Sequence, residues 1–395
     1  MAALGGTFAP MPRIDRDVLR PLPFSEWGLG LDRPLMIAGP CSAESREQVL
    51  ATAEGVKGRA VVFRAGVWKP RTRPGHFEGV GAVALEWLAE VKATTGLLTA
   101  TEVATGAHVE AALKAGVDIL WVGARTTPNP FSVQELADAL TGVDIPVLVK
   151  NPINPDLHLW VGALERFAQA GIRRYAAVHR GFSWFERTPY RNSPMWEFPI
   201  RLKAAHPGLE ILCDPSHVAG SREGVPVIAQ QALDLGLSGL MIEVHPDPGQ
   251  ALSDAAQQLA PPAYGALLDS LIHRVPHPGE EARDRLQELR DLIDQLDEEI
   301  AQKLAARMDI AERIGDHKRA HNVAIIQPER WARVLQGQLR LARELGLGED
   351  FVHQFMDAVH RESIRRQSGG AAGSGTPLGI PSEGTGTLAR DPGTV

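Results

Sequence analysis

Eight short apolar runs, each followed by a stretch with helical spacing, constrain this chain more than any other feature. The runs are LMIAG (35–39), AVVFRA (60–65), LLTATE (97–102), ILWVGA (119–124), PVLVK (146–150), YAAVHR (175–180), EILCD (210–214) and LMIEV (240–244). They lack apolar/polar alternation, which predicts strands buried on both faces, as in a parallel sheet covered by helices. Helical patterns such as VGAVALEWLAEVKA (80–93), GAHVEAALKAG (106–116) and DLHLWVGALERFAQAG (156–171) separate them. Eight such units over roughly 240 residues match the usual size of a closed (β/α)8 barrel. A doubly wound open sheet is the alternative. No G-x-G-x-x-G follows the first run, so an α/β (TIM) barrel is the expectation.

The pattern changes after about residue 258. APPAYG and HRVPHPGEE form a Pro-containing connection. From 283 the chain places Leu286, Leu289, Ile293, Leu296, Ile300, Leu304, Met308, Ala311 and Ile314 at helical spacing. About 36 residues at 1.5 Å each predict a helix of about 55 Å. Such a helix must pack on other helices, and those of a second chain are the expectation. Two more helices are expected near 328–345 and 349–367. The organisation read from this is an N-terminal extension (1–29), a barrel (30–262), a linker (263–282), an all-α domain (283–367) and a Gly/Ser/Thr/Pro-rich tail (368–395) expected to be disordered.

Composition narrows the partners. A formal net charge of −7 argues against nucleic acid and against a membrane surface. No apolar run approaches the length of a transmembrane helix, and the N-terminus lacks the basic start and apolar stretch of a signal peptide. Two cysteines cannot make a disulfide scaffold in 395 residues, so a reducing cytoplasm is expected.

In barrels of this kind chemistry gathers at the carboxyl ends of the strands. Arg64, Arg125, Lys150 and Arg180 fall at or just past the second, fourth, fifth and sixth strands, and Lys69 and Arg71 follow the second in WKPRTRPG. The seventh, eighth and first lead to Asp214 and His217 (DPSH), Glu243 and His245 (IEVHPD), and Cys41. In a closed barrel the eighth strand neighbours the first. Cys41, His217 and Glu243 are therefore expected on one side of the mouth and the cations on the other. A thiolate, an imidazole and a carboxylate suit a divalent transition metal. Asp254, read at the start of the helix after the eighth strand, could add a fourth ligand. The plainer reading makes Cys41 and Cys213 inert buried thiols and His217 a helix cap, and whether the two cysteines pair stays open. Cations crowded at one barrel end are costly without counter-ions. Arg and Lys sets bind phosphate and carboxylate, so the expected ligands are small, phosphorylated and strongly anionic.

AGPCS, FRAGVWKPRT, VGAR, VLVK, HRG, DPSH and IEVHPDPGQALSD, in this order, resemble the 3-deoxy-D-arabino-heptulosonate 7-phosphate (DAHP) synthases of the shorter type-I (beta) branch, over roughly residues 30–260. That branch is similar to the 3-deoxy-D-manno-octulosonate 8-phosphate synthases. Those carry a Lys-Ala-Asn-Arg type sequence where this chain has Lys69-Pro70-Arg71-Thr72, which points to the heptulosonate branch. The resemblance implies metal-dependent condensation of phosphoenolpyruvate with erythrose 4-phosphate. It implies Cys41, His217, Glu243 and Asp254 as ligands of a divalent ion of the Mn, Fe, Co or Zn class. Arg64, Lys69, Arg125, Lys150 and Arg180 would hold phosphoenolpyruvate, and Arg71 with Thr72 the phosphate of erythrose 4-phosphate. Lys69 is the expected proton donor to the new hydroxyl. Two departures stand out: Asn151-Pro152 follows Lys150 where Arg-Gly is expected, and His179 precedes Arg180 where an acidic residue is common.

In the helical segment Arg307 and Lys318 are eleven positions apart, so they share a face to within about 20° at 100° per residue. About 16 Å along the axis separates them, within reach of one small anion between two long side chains. Arg290 points about 100° off that line and would serve a different site, most easily one in a partner chain. Residues 283–367 resemble the all-helical chorismate mutases, intertwined dimers whose sites borrow an arginine from the other subunit, with IIQPER and RESIRRQ carrying the match. The resemblance implies Arg290, Arg307, Lys318, Gln327, Arg330, Ser363 and Gln367 at the active-site positions, chorismate as substrate, and a homodimer or higher oligomer built through this domain. Trp331 follows Arg330 where a glutamate is usual. The leading expectation is a bifunctional shikimate-pathway enzyme, synthase plus mutase, in which prephenate or chorismate bound to the helical domain restrains the barrel. The alternatives are a synthase whose helical domain only dimerises and senses effectors, an octulosonate 8-phosphate synthase barrel, and a barrel that merely binds phosphorylated ligands.

Overall fold

The apolar runs pair side by side in chain order. β1 (Leu35–Gly39), β2 (Val62–Arg64), β3 (Leu98–Val103), β4 (Ile119–Val122), β5 (Val147–Lys150), β6 (Tyr175–His179), β7 (Ile211–Cys213) and β8 (Gly239–Glu243) form a closed parallel barrel. β8 returns to β1 in a register running from Leu35↔Gly239 to Gly39↔Glu243. All eight expected strands are present. The computed structural model describes residues 19–29, 34–69, 77–185, 188–274 and 280–369, in two compact units divided between Pro276 and His277. Arg71, Thr72 and the tail from 370 lie outside the described residues.

Along each strand alternate side chains point into the barrel and out of it. Leu35, Ile37, Val62, Ile119, Trp121, Leu148, Val178, Leu212 and Met241 fill the interior. Met36, Phe63, Leu120, Val147, Val149 and Cys213 pack outward on the helical layer. This double burial explains the absence of polar alternation. Phe24 and Trp27, at a single 3₁₀ turn over Phe24–Glu26, join the interior cluster. The preceding segment is tied to the amino end of β6 through Leu22 N, which donates to Arg173 O at 2.8 Å.

The outer layer is α1 (Arg46–Val56), α2 (Val83–Thr95), α3 (Gly106–Lys114), α4 (Pro130–Ala139), α5 (Leu157–Gln169), α6 (Glu197–Ala205), α7 (Pro215–Ala219), α8 (Val225–Asp234) and α9 (Pro261–Ser270). Ser45, Thr105, Asn129, Asp156 and Asp214 each accept a hydrogen bond from a first-turn backbone N–H of the helix that follows. These caps sit where strand gives way to helix, so they also fix the loops of the barrel mouth.

Among the described residues the second unit has three helices: α10 (Glu280–Ala320, 41 residues), α11 (Pro328–Glu344) and α12 (Glu349–Gln367). Ala342, Val352 and Met356 form its small core with Trp331, Val334, Leu335 and Leu339. α12 approaches α10 so closely at Gly315 that a methyl there would run into the Gln367 backbone. Toward its start α10 leaves Leu289, Ile293, Leu296 and Ile300 between 43% and 58% exposed.

Gly39 holds φ at +150°, and a Cβ would run into the Arg64 carbonyl oxygen. Gly39→Ala should therefore lower the stability of the intact chain by about 1–3 kcal/mol. Gly208→Ala, with no atom near its Cβ position, should stay within about 0.5 kcal/mol of the parent. Thermal unfolding of the two variants checks the contrast.

Candidate functional site

Residues from the carboxyl ends of β1, β7 and β8 meet on one side of the barrel mouth with the loop after β8. Cys41 Sγ and carboxylate oxygens of Glu243 and Asp254 lie within 4.8 Å of one another, and Sγ is 3.4 Å from Asp254 Oδ2. His217, on α7, places Nε2 3.8 Å from Glu243 Oε1 and 3.6 Å from Asp254 Oδ2. Its Nδ1 lies 2.8 Å from Asp214 Oδ2. A ring proton on Nδ1, facing that carboxylate, would turn the Nε2 lone pair toward Glu243 and Asp254, the tautomer a metal-binding histidine needs. Burial lowers the His217 pKa, while Asp214 and Glu243 act in the opposite direction. Burial, aided by Glu243, pushes the Cys41 thiol up to about 12.

Lone pairs and negative charge converging in a buried spot fit a divalent cation, beside which the thiol would ionise. A sulfur, an imidazole nitrogen and carboxylate oxygens suit a transition metal. Asp254 differs in setting from the expectation. It lies in the loop between a 3₁₀ turn (Pro248–Gln250) and α9, which starts only at Pro261, and holds a left-handed φ of 50°. His245 does not join the cluster: its Nδ1 accepts from Asp247 N, and its Nε2 lies 3.5 Å from Glu44 Oε2. Both cysteines are free and buried, and Cys213 faces the helical layer.

The expected separation of cations from acids is not found. Arg64 Nη1 is 3.2 Å from Glu243 Oε1, and its Nη2 donates to the Cys41 carbonyl at 3.0 Å. Lys150 Nζ is 2.6 Å from Asp214 Oδ2. Buried cations need partners, and inward side chains of a narrow barrel meet across the interior as well as around the rim. Burial by itself would raise Asp214, but His217, Lys150 and Arg64 hold its carboxyl well below the usual range. Burial would likewise raise Glu243, but His217 and Arg64 keep it low. Arg180 is buried, and Nη1 donates to Asn192 Oδ1 at 2.7 Å. Asn151, one of the departures noted above, accepts from Arg180 N at 2.7 Å and so anchors that arginine. Burial lowers Arg180 to about 10, with Arg191 and Arg125 adding repulsion. Arg125 itself is exposed. Lys69 lies over Gly66, where a methyl would strike its side chain.

Sequence reasoning missed several groups. Trp121, inside the barrel, has the Arg64 guanidinium 4.8 Å and Lys150 Nζ 5.9 Å from its ring centroid. Arg191, Gln257 and Gln258 also reach the acidic cluster. They stand in loops, where no periodicity marks them; the one available signal is that the two glutamines follow Asp254 closely.

In the second unit Arg307, Lys318, Gln327, Arg330, Ser363 and Gln367 line one cavity of about 310 Å³. Arg307 Nη1 donates to Ser363 Oγ. Lys318 Nζ donates to Ile325 O at 2.7 Å and Gln367 Oε1 at 3.2 Å. Ile310, Ile314, Ile325 and Val334 add apolar wall, and among the described residues no carboxylate lines the cavity. Three cations without a carboxylate suit a small polyanion. Trp331 stacks on His360, with centroids 3.9 Å apart and planes 8° from parallel. Arg290 is exposed on α10 and is not among the lining residues.

Residues 25–272 match the model of the DAHP synthetase I family, and residues 289–368 that of Chorismate mutase type II. The chain is 35% identical over 225 residues to the phospho-2-dehydro-3-deoxyheptonate aldolase of Thermotoga maritima, covering 57% of this chain and 64% of that relative. It thus spans just under two thirds of that relative's length. It is 30% identical over 273 residues to the 2-dehydro-3-deoxyphosphooctonate aldolase of Polaromonas naphthalenivorans, covering 62% and 91%. The crystal structure of the Thermotoga maritima phospho-2-dehydro-3-deoxyheptonate aldolase (DAHP synthase) matches with a TM-score of 0.55 at 29% identity, over 67% of this chain and 70% of that one.

His179 provides a test of site electrostatics. Its buried ring packs against Trp160, Phe182 and Trp196 at centroid distances of 6.3, 5.8 and 5.1 Å. Burial lowers its pKa to about 3, against about 6.5 when unfolded. As pH falls below about 6.5 the unfolded chain takes up a proton that the folded chain refuses. Stability then drops by about 1.4 kcal/mol per pH unit until about pH 3. His179→Phe removes that loss. Its unfolding midpoint, relative to the parent's, should therefore be higher at about pH 5 than at about pH 7.5. Equal offsets at both pH values would refute the assignment.

Proposed function

Because the chain belongs to the DAHP synthetase I family, we propose that its barrel condenses phosphoenolpyruvate with erythrose 4-phosphate, and that its helical unit converts chorismate to prephenate. The observation that carries the first activity is the donor cluster of Cys41, Glu243 and Asp254 with His217 beside it, set against buried Arg64, Lys150 and Arg180. The chorismate mutase type II match and the cationic cavity support the second.

In the barrel reaction, carbon 3 of phosphoenolpyruvate attacks the aldehyde carbon of erythrose 4-phosphate, water adds at carbon 2, and phosphate leaves by C–O cleavage. Cys41, His217, Glu243 and Asp254 would hold a divalent ion of the Mn, Fe, Co or Zn class, which when bound supplies Lewis acidity to the aldehyde oxygen. Arg64, Lys69, Arg125, Lys150 and Arg180 gather the carboxylate and phosphate of phosphoenolpyruvate; Arg71 and Thr72 take the second phosphate. These side chains hold together two anions that would otherwise repel. Lys69 donates the proton to the new hydroxyl.

In the helical unit no covalent step is needed. Arg307, Lys318 and Gln367 stabilise charge on the breaking ether oxygen of a compact diaxial substrate. Gln327, Arg330 and Ser363 complete the contacts. Arg290 reaches the site of a second copy, and the exposed stripe Leu289–Ile293–Leu296–Ile300 supports a homodimer formed through α10. Two free thiols fit a reducing cytoplasm; among the described residues no helix is long and apolar enough to cross a membrane.

Phosphate release from phosphoenolpyruvate plus erythrose 4-phosphate should be abolished by chelator and restored by one of these metals. Release indifferent to chelator would discard the metal reading. The octonate aldolase relatives favour one second reading, an octulosonate synthase, and release with arabinose 5-phosphate alone would select it. Arg307→Ala in the full chain should lower kcat/KM for chorismate by about 100-fold or more, followed as chorismate consumption.

A further inference from the structure

We propose that Gln257 and Arg191 are positioning residues for the metal-ligand set, an inference that rests on the metal reading above. Gln257 is 1% exposed, and its carboxamide bridges two charged groups. Nε2 donates to Glu243 Oε2 at 2.7 Å, and Oε1 accepts from Arg191 Nη1 at 2.6 Å. The same Nη1 lies 3.1 Å from Asp254 Oδ1. One amide and one guanidinium thus join the two carboxylates that crowd Cys41.

The division of oxygens gives this arrangement its meaning. Glu243 Oε2 and Asp254 Oδ1 face the frame. The other oxygens, Oε1 and Oδ2, are those lying 3.8 and 3.6 Å from His217 Nε2, and Oδ2 is 3.4 Å from Cys41 Sγ. Oε1 also has Arg64 Nη1 at 3.2 Å. A carboxylate with one oxygen held by a neutral amide or a cation has its rotation fixed and its other oxygen aimed, the role that outer partners play for metal ligands generally. Gln258, fully buried, serves Cys41: its Oε1 accepts from Cys41 N at 2.9 Å, and its Nε2 donates to Ser253 O at 2.8 Å. Two consecutive glutamines and one arginine therefore touch three of the ligands.

The loop that carries them is itself clamped. Arg222 donates to Ala255 O at 2.6 Å and Gln258 O at 2.9 Å. Gln257 N donates to Asp254 O at 3.2 Å. A non-glycine residue at φ 50° persists where its surroundings over-determine it. Arg191 enters from the solvent side, its side chain 41% exposed against 16% for Asp254. It passes so close to Gly220 that a methyl there would strike it.

Cobalt(II) titration of the metal-free full-length chain tests this. The readouts are affinity, by competition with a chelator, and the thiolate charge-transfer and d–d bands. Gln257→Met and Arg191→Met should bind cobalt about 10- to 100-fold more weakly, with displaced d–d bands. Arg191→Lys, which keeps a cation beside Asp254, should recover part of both. Unfolding midpoints of the metal-free variants separate folding from ligand placement, and should Gln257→Met not fold, the two Arg191 variants decide. Parental affinity and spectrum in folded variants would overturn this inference alone. A parent chain that binds no cobalt would overturn the metal reading and this inference with it.

Discussion

Closure of the sheet by β8 against β1 is the pairing on which the barrel site depends. The register Gly39↔Glu243 sets Cys41 two residues beyond the partner of Glu243. Val244 N donates to Gly39 O at 2.9 Å, and the bridge Val244↔Leu259 carries the next loop back along β8. That return places Asp254, Gln257 and Gln258 over the same edge. On the other side, Ala43 N donates to Gly66 O at 2.9 Å, extending β1–β2 pairing past the strands to where Lys69 departs. Gly39, without a side chain, lets the Arg64 carbonyl approach. Residues distant in sequence become neighbours because the sheet has no free edge.

The mouth so formed balances its own charge. Arg64–Glu243 and Lys150–Asp214 are pairs with side chains 1% and 0%, and 6% and 0%, exposed. Losing one member would strand a buried charge, which costs more than the pair contributes. Asp214 works in three directions: it caps α7 through His217 N, approaches the His217 ring and pairs with Lys150. The DPSH turn therefore ties the His217 imidazole and the Lys150 ammonium to one carboxylate. Under the proposed function an entering phosphate or carboxylate would have to draw Arg64 and Lys150 away from these carboxylates, and Glu243, relieved of Arg64, would be one of the residues left to hold a divalent ion.

The strands were legible because burial on both faces leaves a continuous apolar run, and the long α10 because its stripe repeats at helical spacing. Cys41 and Glu243 were legible as strand-end residues. Chain order reports neighbours around the rim but not contacts across the interior, so Arg64 and Lys150 were separated from the acids they pair with. Arg191 and Gln257 act from loops whose path is set by Arg222 and Gly220, which no pattern records. Arg307 and Lys318 could be put on one face by arithmetic. Ser363 and Gln367 could not, since their approach depends on α12 meeting α10 at Gly315; only resemblance brought them in.

The helical cavity shows how one residue shifts the character of a site. A glutamate at 331 would offset part of the field of Arg307, Lys318 and Arg330. Trp331 instead gives an uncharged wall stacked on His360, whose pKa is lowered by burial and by Arg307, so that the stack carries no charge near neutral pH. An undiluted positive field attracts a polyanion in its ground state and its transition state alike, and uniform attraction of that kind lowers KM without raising kcat. Under the proposed mutase activity, turnover would have to come from groups that gain only as the ether bond breaks. Lys318 would meet that condition best: Ile325 O and Gln367 Oε1 already fix its ammonium, so charge developing on the ether oxygen would meet a preorganised donor with little left to reorganise.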